Sequence, residues 1–243
     1  MSAVAVVVVG TVLALALWVF LFRRPSDGIW GRTWVAAASL SAYSLVALAV
    51  TERLAGLVGP VSAEAVLAGL GVGVAWLVAT HIGHAVLCRI FPGFLAQISD
   101  LYSLREGDRV LTIAGPLTAM GIAEEVFFRG VVQGRLGLVA AVAVYSGVQL
   151  VVNKWSLTLA AMLGGVVWGG LYWWQGGIIA PAIAHVLWTG VLTLLWPLRG
   201  CGERPGGSDV APLASGTDTV TGEASTPRPA GVVSARAEGR AQR

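Results

Sequence analysis

Charge is scarce in this 243-residue chain: 12% of the residues are Asp, Glu, Lys or Arg, against 56% hydrophobic. So few charges exclude an ordinary soluble domain, which needs solvated faces on most of its elements, and leave a membrane composition. Cysteine is nearly absent too. Cys88 lies in an apolar region and Cys201 near the end, and their spacing carries neither a disulfide framework nor a metal-site signature. The formal charge of +3 is not gathered into a basic stripe interleaved with aromatics, which excludes nucleic acid as the expected partner. No internal repeat of fixed period is visible, which argues against transporter folds built from duplicated halves.

What is present is a series of apolar runs. Seven segments are candidates to cross a bilayer: Ala3 to Phe22, Trp34 to Val50, Ala65 to Leu87, Val110 to Val132, Leu138 to Val152, Leu157 to Trp174 and Ile178 to Leu195. The first has no charge, and at ~1.5 Å per residue it is about long enough for the ~30 Å hydrocarbon core. It lacks the basic n-region of a cleaved signal peptide. The fold expected is therefore all-α, a polytopic helical membrane bundle of about seven spans. Trp18, Trp30, Trp34, Trp173, Trp174 and Trp196 fall near segment ends, where an interfacial belt would hold them.

Basic residues set an expected orientation. Arg23, Arg24 and Arg32 follow the first segment, Arg89, Arg105 and Arg109 lie between the third and fourth, Lys154 follows the fifth, and Arg199 and Arg204 follow the seventh. Those alternate loops should be cytoplasmic, with the N-terminus outside and the C-terminal tail inside. Between segments three and four, Phe94, Leu95, Ile98, Leu101 and Tyr102 repeat at helical spacing opposite Gln97, Ser99 and Asp100. That pattern fits a short helix in the membrane interface or one packed on the bundle. From Gly200 onward the chain has no aromatic residue and is rich in Gly, Pro, Ser, Thr and Ala, so a disordered tail is expected. The expected divisions are 1–109, N-terminal helices and the short interfacial segment; 110–198, the core that carries chemistry; and 199–243, the tail.

The chemistry centres on Glu124, Glu125 and Arg129, in the run Gly121-Ile122-Ala123-Glu124-Glu125-Val126-Phe127-Phe128-Arg129-Gly130. Ionisable groups inside a spanning helix mark a functional site by default. Glu125 and Arg129 are four residues apart and stack on one helical face as an ion pair. Glu124 is turned by about 100° and points elsewhere, which makes it the candidate general base. The plainer alternative is an ion-paired bridge that locks helices together. Gln149 in segment five and His185 with Thr189 in segment seven supply further polar groups at membrane depth, able to surround one water-filled pocket or simply to bond helix to helix. His81 and His84 share a face, but with no acidic or cysteine partner their spacing is weak evidence for a metal. Gly69 and Gly73, and Gly165 and Gly169, are small-xxx-small pairs suited to close helix packing within the bundle rather than to a dimer face.

The run from Glu124 to Gly130 resembles the first motif, EExxxR followed by Gly, of the CPBP intramembrane proteases, which include the type II CAAX prenyl endopeptidases and bacteriocin-processing or self-immunity proteins. Gly165-Val166-Val167-Trp168-Gly169-Gly170-Leu171-Tyr172 resembles the glycine-rich helix of that family, and Gly177 through His185 its approach to the last histidine; the likeness covers roughly 110–198. It implies an endopeptidase in which Glu124 activates a water that attacks a peptide bond, Glu125 and Arg129 complete the motif, and His185 is the last histidine. The implied substrate is a peptide or membrane-associated protein, the implied partner surface the lipid bilayer, and the implied location a bacterial cytoplasmic membrane. Two positions depart: the second motif, FxxxH, reads Tyr145-Ser146-Gly147-Val148-Gln149 here, and Thr189 stands where Asn or Asp is the pattern. The family admits zinc as a cofactor, but a glutamine cannot ligate it as an imidazole does, and Gln149 therefore disfavours it. A metal-free site with Gln149 and His185 orienting water or holding the oxyanion follows, with an inactive scaffold or immunity or secretion partner as the alternative. A transporter is the third reading, motivated by buried charge and glycine helices.

Overall fold

The computed structural model describes residues 2–23, 27–91, 93–105 and 108–198. The tail expected to be disordered, together with Arg24, Arg199, Cys201 and Arg204, lies outside the described residues. The described residues are helical, without strands, as a bundle of spans requires.

Helix α1 runs Ala3–Phe22, with the Ser2 hydroxyl accepting from the Ala5 amide at its start. Helix α2, Ile29–Ala49, begins five residues before the expected Trp34. The apolar run starts only after Arg32, whereas the chain enters the helix at Gly28, with φ of 71°. Helix α3, Ala63–Ile90, is capped by Ser62. The short α4, Phe94–Tyr102, leads to α5, Val110–Glu125, which continues as a π-helix over Val126–Gln133. Helix α6, Gly134–Gln149, runs on through a single 3-10 turn, Leu150–Val152. Helices α7, Trp155–Gln175, and α8, Ile179–Gly190, complete the order, α8 ending in a second π stretch, Val191–Leu195.

Each expected span therefore coincides with a helix. Four stretches are long and apolar enough to cross a membrane: Ala3–Phe22, Ala63–Ile90, Val110–Val152 and Trp155–Gln175. The third, at 43 residues, would measure roughly 64 Å as one rod, about twice the hydrocarbon thickness. It is two spans, because Gly137 inside α6 has φ of 81° and ψ of 176°, a conformation open to glycine alone. The fifth expected segment begins at Leu138, the residue after that break.

Inside and outside are inverted relative to a soluble protein. Val12, Leu67, Leu111, Val139 and Trp173 are exposed, whereas Glu125 and Arg129 are fully buried. Lipid accepts apolar side chains on the outside, so the charged groups at this depth are confined to the interior, among apolar packing. The core around the π segment is Phe127, Phe128, Val131 and Val132, packed against α2 and α6. Helix α1 passes closely here: a Cβ on Gly10 would lie 2.6 Å from Tyr43 Cε1, so only glycine fits.

The glycine pairs serve packing within the chain. A Cβ on Gly69 would come within 2.7 Å of the Ala180 carbonyl oxygen, and one on Gly73 within 3.1 Å of Ala184 Cα, so α3 and α8 touch backbone to backbone. Gly165 and Gly169 face α6 and the turn before it through side chains instead: a Cβ on Gly165 would meet Tyr145 at 3.4 Å, an ordinary contact, and one on Gly169 would crowd Leu138 and lie 2.7 Å from Gln133 Oε1. Helix α4 packs on protein: Phe94 and Ile98 are buried, Gln97 Oε1 accepts from the Ser156 amide at the start of α7, and Asp100 pairs with Lys154. Its apolar face therefore favours the packed reading over the interfacial one.

Candidate active site

Glu124 and Glu125 close the α-helical part of α5, where the helix widens into the π stretch that carries Arg129. Such π insertions occur most often at functional sites, because the extra residue in the turn re-aims side chains. Arg129 Nε lies 3.1 Å from Glu125 Oε2, with both side chains essentially inaccessible. The four-residue spacing thus forms the ion pair the sequence implies.

Glu125 does more than hold the arginine. Its second oxygen, Oε1, lies 2.8 Å from His185 Nδ1 on α8. A carboxylate here only accepts, so Nδ1 carries the proton and donates. The other ring nitrogen, Nε2, is thereby turned toward Glu124, 4.0 Å from its Oε2. Trp168 of α7 stacks on the imidazole at 5.7 Å between centroids and 16° between planes, which fixes the remaining rotation. His185 is therefore clamped by a hydrogen bond at one edge and an indole on one face.

Glu124, Gln149, His185 and Thr189 all line one cavity of about 410 Å³, together with Trp18 and Tyr145. Its remaining walls are mainly apolar, with Trp30, Trp76, Ile98 and Trp188 among them. A few polar groups set in the wall of an apolar cavity of this size are the usual form of a small-ligand or substrate site. Glu125 and Arg129 do not line the cavity; Glu125 bonds His185, which does.

Two partners escaped sequence reasoning. Tyr145 Oη donates to Glu124 Oε2 at 2.7 Å, and Trp18 Nε1 donates to Gln149 Oε1 at 2.9 Å. Tyr145 was visible only as the residue one turn before Gln149; no sequence signal ties Trp18 to a residue 131 positions away. Trp18, placed in an interfacial belt by its position at a segment end, is in fact 2% exposed. The correction has a simple cause: its indole N–H satisfies the buried amide carbonyl, and a partner there outweighs the pull of the interface. Thr189 Oγ1 is buried without a hydrogen-bond partner among the described residues.

The donor set does not fit zinc. Glu124 and the Nε2 edge of His185 are two plausible ligands. An indole can only donate, so the atom of Gln149 facing Trp18 is the carbonyl oxygen, and the group left over is an NH₂ that ligates nothing. Among the described residues no group of three or more His, Cys, Asp or Glu side chains could hold a metal. His81 Nδ1 bonds the Leu77 carbonyl and the ring stacks on Trp196, while His84 Nε2 lies 3.5 Å from Cys88 Sγ, so these two histidines are engaged within and around α3.

Residues 107–191 match the family model of the type II CAAX prenyl endopeptidase Rce1-like proteins. The match takes in α5 through α8 and every residue assigned to the site from the sequence. No curated protein and no solved structure matches the chain.

Proposed function

From the Rce1-like type II CAAX prenyl endopeptidase domain carried by residues 107–191, we propose that this integral membrane protein is an intramembrane endopeptidase working without a metal. The observation that carries the reading is the convergence of Glu124, Gln149, His185 and Thr189 on one cavity, with His185 held by Glu125. Glu124 takes a proton from a water whose oxygen attacks the peptide carbonyl carbon, and the carbonyl π pair moves onto oxygen. The Gln149 NH₂ and the Thr189 hydroxyl are the donors available to that oxyanion, and His185 orients the water. Collapse breaks the C–N bond, and the proton on Glu124 passes to the leaving nitrogen. Both departing positions, Gln149 and Thr189, still supply a donor, and since removing one oxyanion donor outright costs about 10² to 10³ in rate, weaker donors there fit a slow enzyme rather than none.

The substrate is a peptide or membrane-associated protein whose segment beside the scissile bond is apolar, as the cavity walls require. The basic loops support a cytoplasmic C-terminal side. The test is cleavage by the full chain in proteoliposomes, offered prenylated and unmodified peptides, with Glu124→Gln beside wild type. Cleavage by wild type and none by folded Glu124→Gln is expected. Gln149 specifically favours a second reading, a noncatalytic scaffold. Cleavage absent from both proteins while a partner still co-purifies decides for the scaffold.

A further inference from the structure

Tyr145 and Gln149 stand one turn apart on the same face of α6, and both line the cavity. They serve different neighbours. The amide of Gln149 is engaged by Trp18, whereas the phenol of Tyr145 reaches Glu124 Oε2 at 2.7 Å. Tyr145 is 5% exposed; its ring packs on Phe128 at 4.6 Å between centroids and lies 5.3 Å from the Arg129 guanidinium carbon. Neither ring contact needs a hydroxyl. A hydroxyl at this depth is costly unless bonded, so its presence is accounted for by what it bonds, and that is the candidate base.

The bond divides the two oxygens of Glu124. Oε2 is held by Tyr145 and faces His185 Nε2, whereas Oε1 accepts no hydrogen bond among the described residues. We propose that Tyr145 is the positioning residue for Glu124, anchoring Oε2 so that Oε1 is the atom that takes the proton from the attacking water. This rests on the endopeptidase reading and adds a division of labour within the carboxylate. The water O–H bond breaks as its oxygen bonds the carbonyl carbon, and the proton resides on Oε1. It leaves for the amide nitrogen as the C–N bond breaks. Tyr145 keeps its own proton throughout and touches no reacting atom of the substrate.

The experiment compares wild type, Glu124→Gln and Tyr145→Phe as full chains in proteoliposomes, reading kcat and KM separately. The infrared carboxylate band of Glu124 is isolated by difference against Glu124→Gln. Phenylalanine keeps the ring and its packing, so Tyr145→Phe should leave KM unchanged and lower kcat on the order of 10²-fold, the scale of a misplaced reacting group. The carboxylate band should shift as its donor is lost. Tyr145→Phe with wild-type kcat, while Glu124→Gln is inactive, overturns the positioning role and leaves the endopeptidase reading standing. Full cleavage by Glu124→Gln, or none by wild type, overturns both. An unchanged band in Tyr145→Phe removes the contact whatever the activity.

Discussion

Replacing Arg129 with methionine tests the electrostatic frame of the site without touching the cavity wall. The guanidinium is fully buried, lies 3.1 Å from Glu125 Oε2, and its two terminal nitrogens have no hydrogen-bond partner among the described residues. Its attraction to Glu125 is therefore its main compensation for leaving water. Methionine fills most of the space, so the apolar contacts change little, but Glu125 is left as a buried carboxylate supported only by His185. Removing one partner of a buried pair costs about 3–5 kcal/mol, because the remaining charge is uncompensated. The double variant Arg129→Met/Glu125→Gln carries no such charge, and an amide oxygen at 125 still accepts from His185 Nδ1. What remains is one NH₂ group without a partner, a penalty of about 1–3 kcal/mol. The double variant should therefore be more stable than the single one. Reversible unfolding in mixed micelles, followed by tryptophan fluorescence, measures both differences. A single variant that loses less than about 1 kcal/mol, or a double variant no more stable than the single, refutes the claim that the pair is held by mutual neutralisation in a dry interior.

Two further predictions concern the cavity and its support. Gln149→His replaces the neutral amide donor by an imidazole, whose protonated form makes the stronger, charge-assisted hydrogen bond to the oxyanion, and should raise peptide cleavage, which kcat in proteoliposomes measures; no gain moves the balance toward the scaffold. Gly73→Leu forces α3 from α8 beside Ala184, the neighbour of His185, and should cost about 1–3 kcal/mol together with activity. Gly71→Leu, where an added Cβ meets nothing within 4 Å, should leave both unchanged.

Hydropathy located the helices well because a bilayer core imposes a length and forbids charge, and both conditions are local properties of a segment. The limits of α1, Ala3–Phe22, are those of its uncharged run. Hydropathy failed at Arg32, where a charge one turn inside α2 is tolerated by a hydrogen bond to the Asp27 carbonyl oxygen. The pairing of Glu125 with Arg129 was legible for a similar reason, since residues four apart on a helix share a face whatever surrounds them. The role of α4 was not, because its pattern says that one side is apolar and leaves open whether lipid or protein covers it.

The sequence by itself determined which groups enter the membrane and which of them share a helix face, since helical geometry repeats at fixed angles along one chain. Only the tertiary structure decided that Glu125 selects the tautomer of His185, that Trp18 takes the carbonyl of Gln149, and that Tyr145 reaches Glu124. Each of those contacts joins two helices, and a hydrogen bond exists only over a few tenths of an ångström. Such distances are set by how closely the helices pack, at glycines such as Gly10 and Gly73, and not by the period of any one of them.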